Sequence, residues 1–134
     1  MASIIDIEGI GPVYAEKLAA AGIKTTEKLL KEGGSRSGRK KIATDTGIDE
    51  KKVLRWVNMA DLFRIKGVGE EYSDLLEAAG VDTVKELRNR NPANLHAKMT
   101  EVNAEKELVR QLPSDSKVAD WVEQAKGMEP AITY

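Results

Sequence analysis

The chain is expected to be all-α, with two similar helical units, residues 1–61 and 62–134, docked into one compact body. Three observations predict this. The stretch "IEGIGPVYAEKLAAAGI" (7–23) returns as "IKGVGEEYSDLLEAAGV" (65–81). Ile7, Gly9, Gly11, Tyr14, Leu18, Ala20, Ala21 and Gly22 recur as Ile65, Gly67, Gly69, Tyr72, Leu76, Ala78, Ala79 and Gly80. Further on, "VLRWVNMA" (53–60) resembles "VADWVEQA" (118–125), with Val53, Trp56, Val57 and Ala60 matched by Val118, Trp121, Val122 and Ala125. Those four positions follow the i, i+3, i+4, i+7 spacing of one buried helix face. Finally, no segment shows strand alternation flanked by hairpin turns. The two matches differ in offset, so the second copy holds seven additional residues between them. Seven residues make about two helical turns, which would keep a helix face pointing the same way.

The elements follow in order. "SIIDIE" (3–8) is the sole strand candidate. Residues 12–21 are good helix formers opened by Pro12, a residue favoured at a first helical position, and closed by Gly22. Thr83 and Glu86 have the spacing of a capping box, and Asn91-Pro92 is a second helix start. "NMADLFRI" (58–65) reads as helix running through the boundary near 61–65, which has no Pro/Gly/Ser linker. The units should therefore dock closely. "GMEPAITY" (127–134) follows a glycine stop and contains Pro130, so it is expected to be extended and loosely held.

Composition bounds the function. The chain is 41% hydrophobic and 32% charged, which marks a soluble globular protein. Six aromatic residues leave the core to Leu, Ile, Val and Ala. The lack of cysteine excludes disulfides and thiolate chemistry and fits a reducing compartment. No apolar run approaches the roughly 18 residues needed to span a membrane. "MASIIDIE" has neither a basic region nor a long apolar stretch, so no secretory signal is expected and the location expected is cytoplasmic. Residues 7–61 hold 11 Lys/Arg and 8 Asp/Glu; residues 62–134 hold 10 and 13. Such asymmetry suits halves that face different partners or each other, although imbalances this small also arise by chance.

"IEGIGPVYAEKL" resembles the helix-hairpin-helix motif at Ile7, Gly9, Ile10, Gly11, Ala15 and Leu18. The second copy matches at Ile65, Gly67, Val68, Gly69 and Leu76, with Ser73 where alanine is usual. Residues 7–58, and more loosely 65–124, are also similar to the small N-terminal helical domain of archaeal and eukaryotic recombinases. The tandem arrangement resembles a family of small bacterial proteins of unassigned function. The resemblance implies a turn whose glycines permit positive φ and whose backbone N–H groups, at the next helix N-terminus, can hold a phosphate oxygen. It also implies sequence-independent binding of DNA or RNA backbone, with a monovalent cation on hairpin carbonyls in some members. Other members serve only as structural or protein-contact modules.

The candidate nucleic-acid-binding residues are Gly9, Ile10, Gly11 and Lys17, with the cluster Arg36, Arg39, Lys40 and Lys41 of "SRSGRKKIA". The cluster can equally be a solvated helix face. Binding hairpins place Lys or Arg just after the second glycine, whereas this chain has Pro12-Val13 and then Glu70-Glu71. Carboxylates at a helix N-terminus satisfy its dipole themselves and repel a phosphate, so Glu70 and Glu71 are protein-contact candidates. Gly33 and Gly38 have P-loop separation, but Arg39-Lys40 replaces the required Lys-Ser/Thr and no strand precedes. Tyr14 and Tyr72 occupy the third glycine position of a dinucleotide fingerprint, which therefore fails too. His96 is the only histidine, and it reads as structural or exposed. No catalytic or metal site, and no cofactor, is expected.

Two functions compete on this reading. One is a non-enzymatic module binding nucleic-acid backbone weakly, without sequence preference, through the first unit. The other is a protein-interaction or scaffold module, acting on a partner or a second copy, whose hairpins are purely structural.

Overall fold

Eight helices follow a short 3-10 turn, Ile4–Asp6, in the computed structural model, which describes residues 2–134. They are α1 (Pro12–Ala20), α2 (Thr26–Gly33), α3 (Arg36–Thr46), α4 (Glu50–Leu62), α5 (Glu70–Ala78), α6 (Val84–Arg88), α7 (Pro92–Lys106) and α8 (Asp115–Lys126). The protein is all-α. Six helices start at a side-chain cap: Thr25, Ser35, Asp49, Thr83, Asn91 and Ser114 each accept a hydrogen bond from a backbone N–H of the following turn. Each such cap is worth about 1 kcal/mol. The other two, α1 and α5, open after Gly11 and Gly69 with no side-chain cap.

Two hydrophobic clusters form. One gathers Ile4, Ile7, Ile10, Leu18, Leu29, Ile42, Val53, Trp56 and Val57 from the first half. The other gathers Ile65, Val68, Leu75, Leu76, Val84, Leu87, Met99, Val118, Trp121 and Val122 from the second. The i, i+3, i+4, i+7 face of α4 and its counterpart on α8 are the buried faces expected. Small clusters of this kind leave much apolar surface only half covered, so joining them stabilises both.

Specific polar bonds cross the seam. Asp61, at the end of α4, is almost fully buried; it accepts the Val84 N–H at 2.8 Å, at the start of α6, and pairs with Arg64 at 2.8 Å. Arg55 reaches from α4 to α5, donating from Nε and Nη2 to the Glu77 carboxylate at 3.0 and 2.9 Å. Such a two-pronged bond fixes orientation as well as adding energy.

Four expectations are corrected in detail. "SIIDIE" forms a 3-10 turn with a capping box from Ser3 and Asp6, leaving only an isolated bridge between Ser3 and Thr25. Helix α4 stops at Leu62, and Phe63 to Gly67 form successive tight turns. The seven additional residues do not make two turns of helix. They are spread between a longer α7, 15 residues against 11 in α3, and a longer α7–α8 connection. Lastly, residues 130–134 are extended but not loose. Ile132 is buried in the first cluster, and the Thr133 N–H donates to the Gly34 carbonyl at 2.8 Å. Burial of Ile132 is worth about 1.5–3 kcal/mol, enough to dock a short segment.

Candidate nucleic-acid interface

Each glycine turn is built around an indole. Gly9 has φ +95°, and a Cβ there would lie 3.4 Å from Trp56 Nε1 and 3.1 Å from Arg55 Nη1. Gly67 has φ +93°, and its Cβ would lie 3.1 Å from Trp121 Nε1. Only glycine tolerates this combination of positive φ and close approach. Between the glycines, Ile10 and Val68 are buried, so the apolar position anchors the turn from below. Tyr14 meets Trp56 with ring centroids 5.1 Å apart, and Tyr72 meets Trp121 at 5.2 Å; both pairs are tilted. This is the packing role the matched aromatics suggest.

Gly11 and Gly69 play a different part. Both are extended (φ −85° and −118°) with open space where a Cβ would go, and each precedes an uncapped helix N-terminus. Pro12 has no N–H, so the N–H groups of Val13 and Tyr14 at the start of α1, and of Glu70, Glu71 and Tyr72 at the start of α5, are left without a side-chain acceptor, a setting that favours an anion. Of the carbonyls in the first turn, that of Ile7 accepts from Ile10 N–H and that of Glu8 from Arg55 Nη1.

Charge separates the two turns. Exposed Lys17 lies 6.0 Å from the Tyr14 ring centroid, and Lys52, from the first turn of α4, lies 5.6 Å from it. Lys52 was missed by motif reading. It sits four residues before Trp56 on the same helix, so placing the indole against Tyr14 brings the lysine along. Its counterpart Lys117 lies 6.0 Å from the Tyr72 ring, and the match "KVLRWV" to "KVADWV" contains the signal. The second turn has no equivalent of Lys17, because Leu75 occupies that place and is fully buried.

The second turn faces acid. Burial first, then the charges of Glu8 and Asp6, hold the Glu70 carboxyl above its ordinary value. Asp74 is raised too, by burial and by Glu8 and Glu77, with Arg55 opposing. Glu70 therefore lies beside the acidic rim of the first turn and not beside a basic face of it.

The cluster on α3 does not stay together. At about 100° per residue, Arg36, Arg39 and Lys40 share one face and Lys41 points away. Lys41 lines a shallow cleft with Lys28, Glu32 and Asp45 near the end of α1, about 13 Å along that helix from the glycine turn. Arg36, Lys40 and Lys41 are exposed, as a phosphate contact requires. Arg39 departs from expectation: it is 4% exposed, donating through Nη1 to the carbonyls of Gly33 and Gly34 and through Nη2 to that of Thr133. The last carbonyls of α2 have no partners within their own helix, and the guanidinium satisfies them. The glycines of this stretch serve packing. A Cβ on Gly33 would meet Val57 at 2.5 Å, and one on Gly38 would meet the Glu32 carbonyl oxygen at 2.0 Å.

His96 bridges α7 to the start of α8, through Nε2 to the Pro113 carbonyl at 2.9 Å and Nδ1 to Asp115 at 2.8 Å. Among the described residues, no cluster of His, Asp or Glu could hold a metal ion, and no helix is long and apolar enough to cross a membrane.

Residues 8–128 match a family described as a domain of unknown function (DUF4332), and the chain belongs to that family. No curated protein and no solved structure matches it.

Proposed function

We propose that this member of the DUF4332 family is a non-enzymatic binding module made of two helix-hairpin-helix units, whose first unit holds nucleic-acid backbone weakly and without sequence preference. The observation that carries the reading is the start of α1, uncapped by any side chain and flanked by Lys17 and Lys52 around Tyr14. Lys17 and Lys52 lie 6.0 and 5.6 Å from the ring of Tyr14, which stands in the first turn of α1, and cations near N–H groups without a side-chain acceptor suit an anion. Such contacts read phosphate and carry no base information, so binding is sequence-independent and electrostatic. Arg36 and Lys40, exposed on α3, are further cations open to a phosphate chain, and a cytoplasmic location belongs to the same proposal.

The test is fluorescence anisotropy with labelled single- and double-stranded DNA and RNA. Affinity is expected to fall steeply between about 50 and 200 mM salt. Replacing Lys17 and Lys52 together by Gln should weaken binding to every sequence alike and flatten the salt slope by about 2. Lack of binding by all four nucleic acids at the lower salt overturns the reading.

A second reading is favoured by the second turn, where Glu70 and Glu71 join Asp6 and Glu8 in an acidic surface suited to a basic protein segment. Exposed ion pairs are worth only about 0–1 kcal/mol each, so apolar burial must accompany them. Glu70→Lys with Glu71→Lys should then weaken partner capture or self-association. A large gain in nucleic-acid affinity with association unchanged would count against protein contact at this turn.

A further inference from the structure

The segment Ala131–Tyr134 does more than cover apolar surface. It lies across the start of α3 and takes up one of the cations there. Thr133 accepts from Arg39 Nη2 at 2.7 Å, and the Tyr134 ring centroid lies 5.6 Å from the guanidinium carbon. The fit is close: a Cβ on Gly34 would lie 2.6 Å from the Ala131 carbonyl oxygen. The Tyr134 hydroxyl donates to Asn58 Oδ1 at 3.2 Å, and the Arg64 guanidinium donates to the Glu129 carbonyl at 2.8 Å. Beside this segment, Arg36, Arg39, Lys51, Leu54 and Tyr134 line an open cleft of about 450 Å³, together with Asp49 and Glu50.

We propose that Ala131–Tyr134 is a detachable strap that regulates the cationic face of α3, withholding Arg39 from a phosphate chain when docked and releasing it when lifted. The proposal rests on the nucleic-acid reading given above. Two features make the strap detachable. Its only buried side chain is Ile132, while Thr133 and Tyr134 are exposed at the surface. Segments with few buried apolar contacts open at far lower free energy than the whole fold. The bond from Arg64 to Glu129 lies before the strap, so residues beyond it can lift without disturbing α8.

Lifting the strap changes the chemistry of α3. Arg39 loses a carbonyl acceptor and an aromatic cover, while the carbonyls of Gly33 and Gly34 still hold its Nη1 in place. Nη2 is then free to donate, on the same helix face as Arg36 and Lys40. Three cations in place of two add about one phosphate contact, which steepens the salt dependence by about 1.

The experiment uses the full chain carrying Ile132→Ser, which weakens the strap without changing net charge. Hydrogen exchange of the Thr133 amide reports opening, because that N–H is bonded to Gly34. Two probes are added separately: a labelled single-stranded oligonucleotide, and inorganic pyrophosphate, followed through the Arg39 guanidinium resonances. Faster exchange, oligonucleotide binding tightened about threefold to tenfold, and an Arg39 shift with pyrophosphate in the variant alone are expected. Adding Arg39→Gln to the Ile132→Ser chain should cancel the gain. If exchange quickens but the oligonucleotide binds both chains equally, the strap proposal fails and the nucleic-acid reading stands. If neither chain binds it while pyrophosphate still shifts Arg39 in the variant alone, the nucleic-acid reading fails and the strap stands. Silence from both probes overturns both.

Discussion

The first and second glycine turns share a backbone and differ in nearly everything that a ligand would meet. Both place a positive-φ glycine against a tryptophan, both bury the apolar residue that follows, and both leave the next helix without a side-chain cap. Around the first stand Pro12, Val13, Lys17 and Lys52, with Asp6 and Glu8 on the side facing Glu70; around the second stand Glu70, Glu71, buried Leu75 and Lys117. The difference teaches that the turn answers first to folding. An arrangement kept whether the surroundings are of mixed charge or acidic is explained by the indole it seats, and any phosphate role depends on the charges added to it.

The largest effect should come from removing the seats. Trp56→Ala and Trp121→Ala each empty a cavity beneath a turn, at a cost of about 3–5 kcal/mol. Urea unfolding of the two variants should give similar losses. If one substitution proves cheap, the two turns are not equivalent supports and the comparison breaks.

Within each turn the two glycines should separate. Gly9→Ala and Gly67→Ala force a side chain into positive φ and against the indole, at about 1–3 kcal/mol. Gly11→Ala and Gly69→Ala meet open space at an ordinary φ and should lose at most about 1 kcal/mol, from poorer capping. Equal losses at all four positions would contradict the division of labour between first and second glycine.

A third contrast sharpens the difference between halves. Arg55 on α4 crosses to Glu77, whereas Asp120, its counterpart on α8, bonds only to Gln124 of its own helix. Arg55→Gln should destabilise by about 0.5–1 kcal/mol, since the pair is partly exposed and screened, and Asp120→Asn should change little. The same denaturation series, repeated at high salt, should shrink the Arg55 effect.

The sequence made the helices, the glycine turns and the packing of Tyr14, Tyr72, Trp56 and Trp121 legible, because each has a local or periodic signature. Arg39 was not legible, because the groups that bury it are backbone carbonyls, one of them 94 residues away. Long-range partners of this kind leave no trace in spacing. Ile132 was obscured by its neighbours: Pro130 and a glycine stop read as a loose end, and one aliphatic side chain decides otherwise. Lys52 lay within reach of the sequence, directly before the repeated "VLRWVNMA" that holds Trp56.

The smallest expected effect isolates the second turn by pH. Where Glu70 and Glu71 stand, the first turn has Pro12 and Val13, which cannot titrate. Burial, with Glu8 and Asp6 nearby, raises the Glu70 carboxyl above 4.5 in the folded chain. The folded chain therefore holds that proton more tightly than the unfolded one, and stability contributed by the protonated group is complete below pH 4.5. It is lost as pH rises through the folded value. The dipole of α5 works in the opposite sense, favouring a negative charge at its first turn, but it acts against desolvation and the charges of Glu8, Asp6 and Glu71 together. Glu70→Gln should consequently raise the thermal midpoint at about pH 7 by about one or two degrees, with the gain vanishing once pH falls below the ordinary carboxylate range. Glu70 is largely exposed, so solvent screening keeps the shift small. Calorimetry of the two chains across that range measures it. A lower midpoint for the variant at neutral pH would mean that the helix dipole outweighs the acidic neighbours, and that the carboxylate caps α5 as a charge.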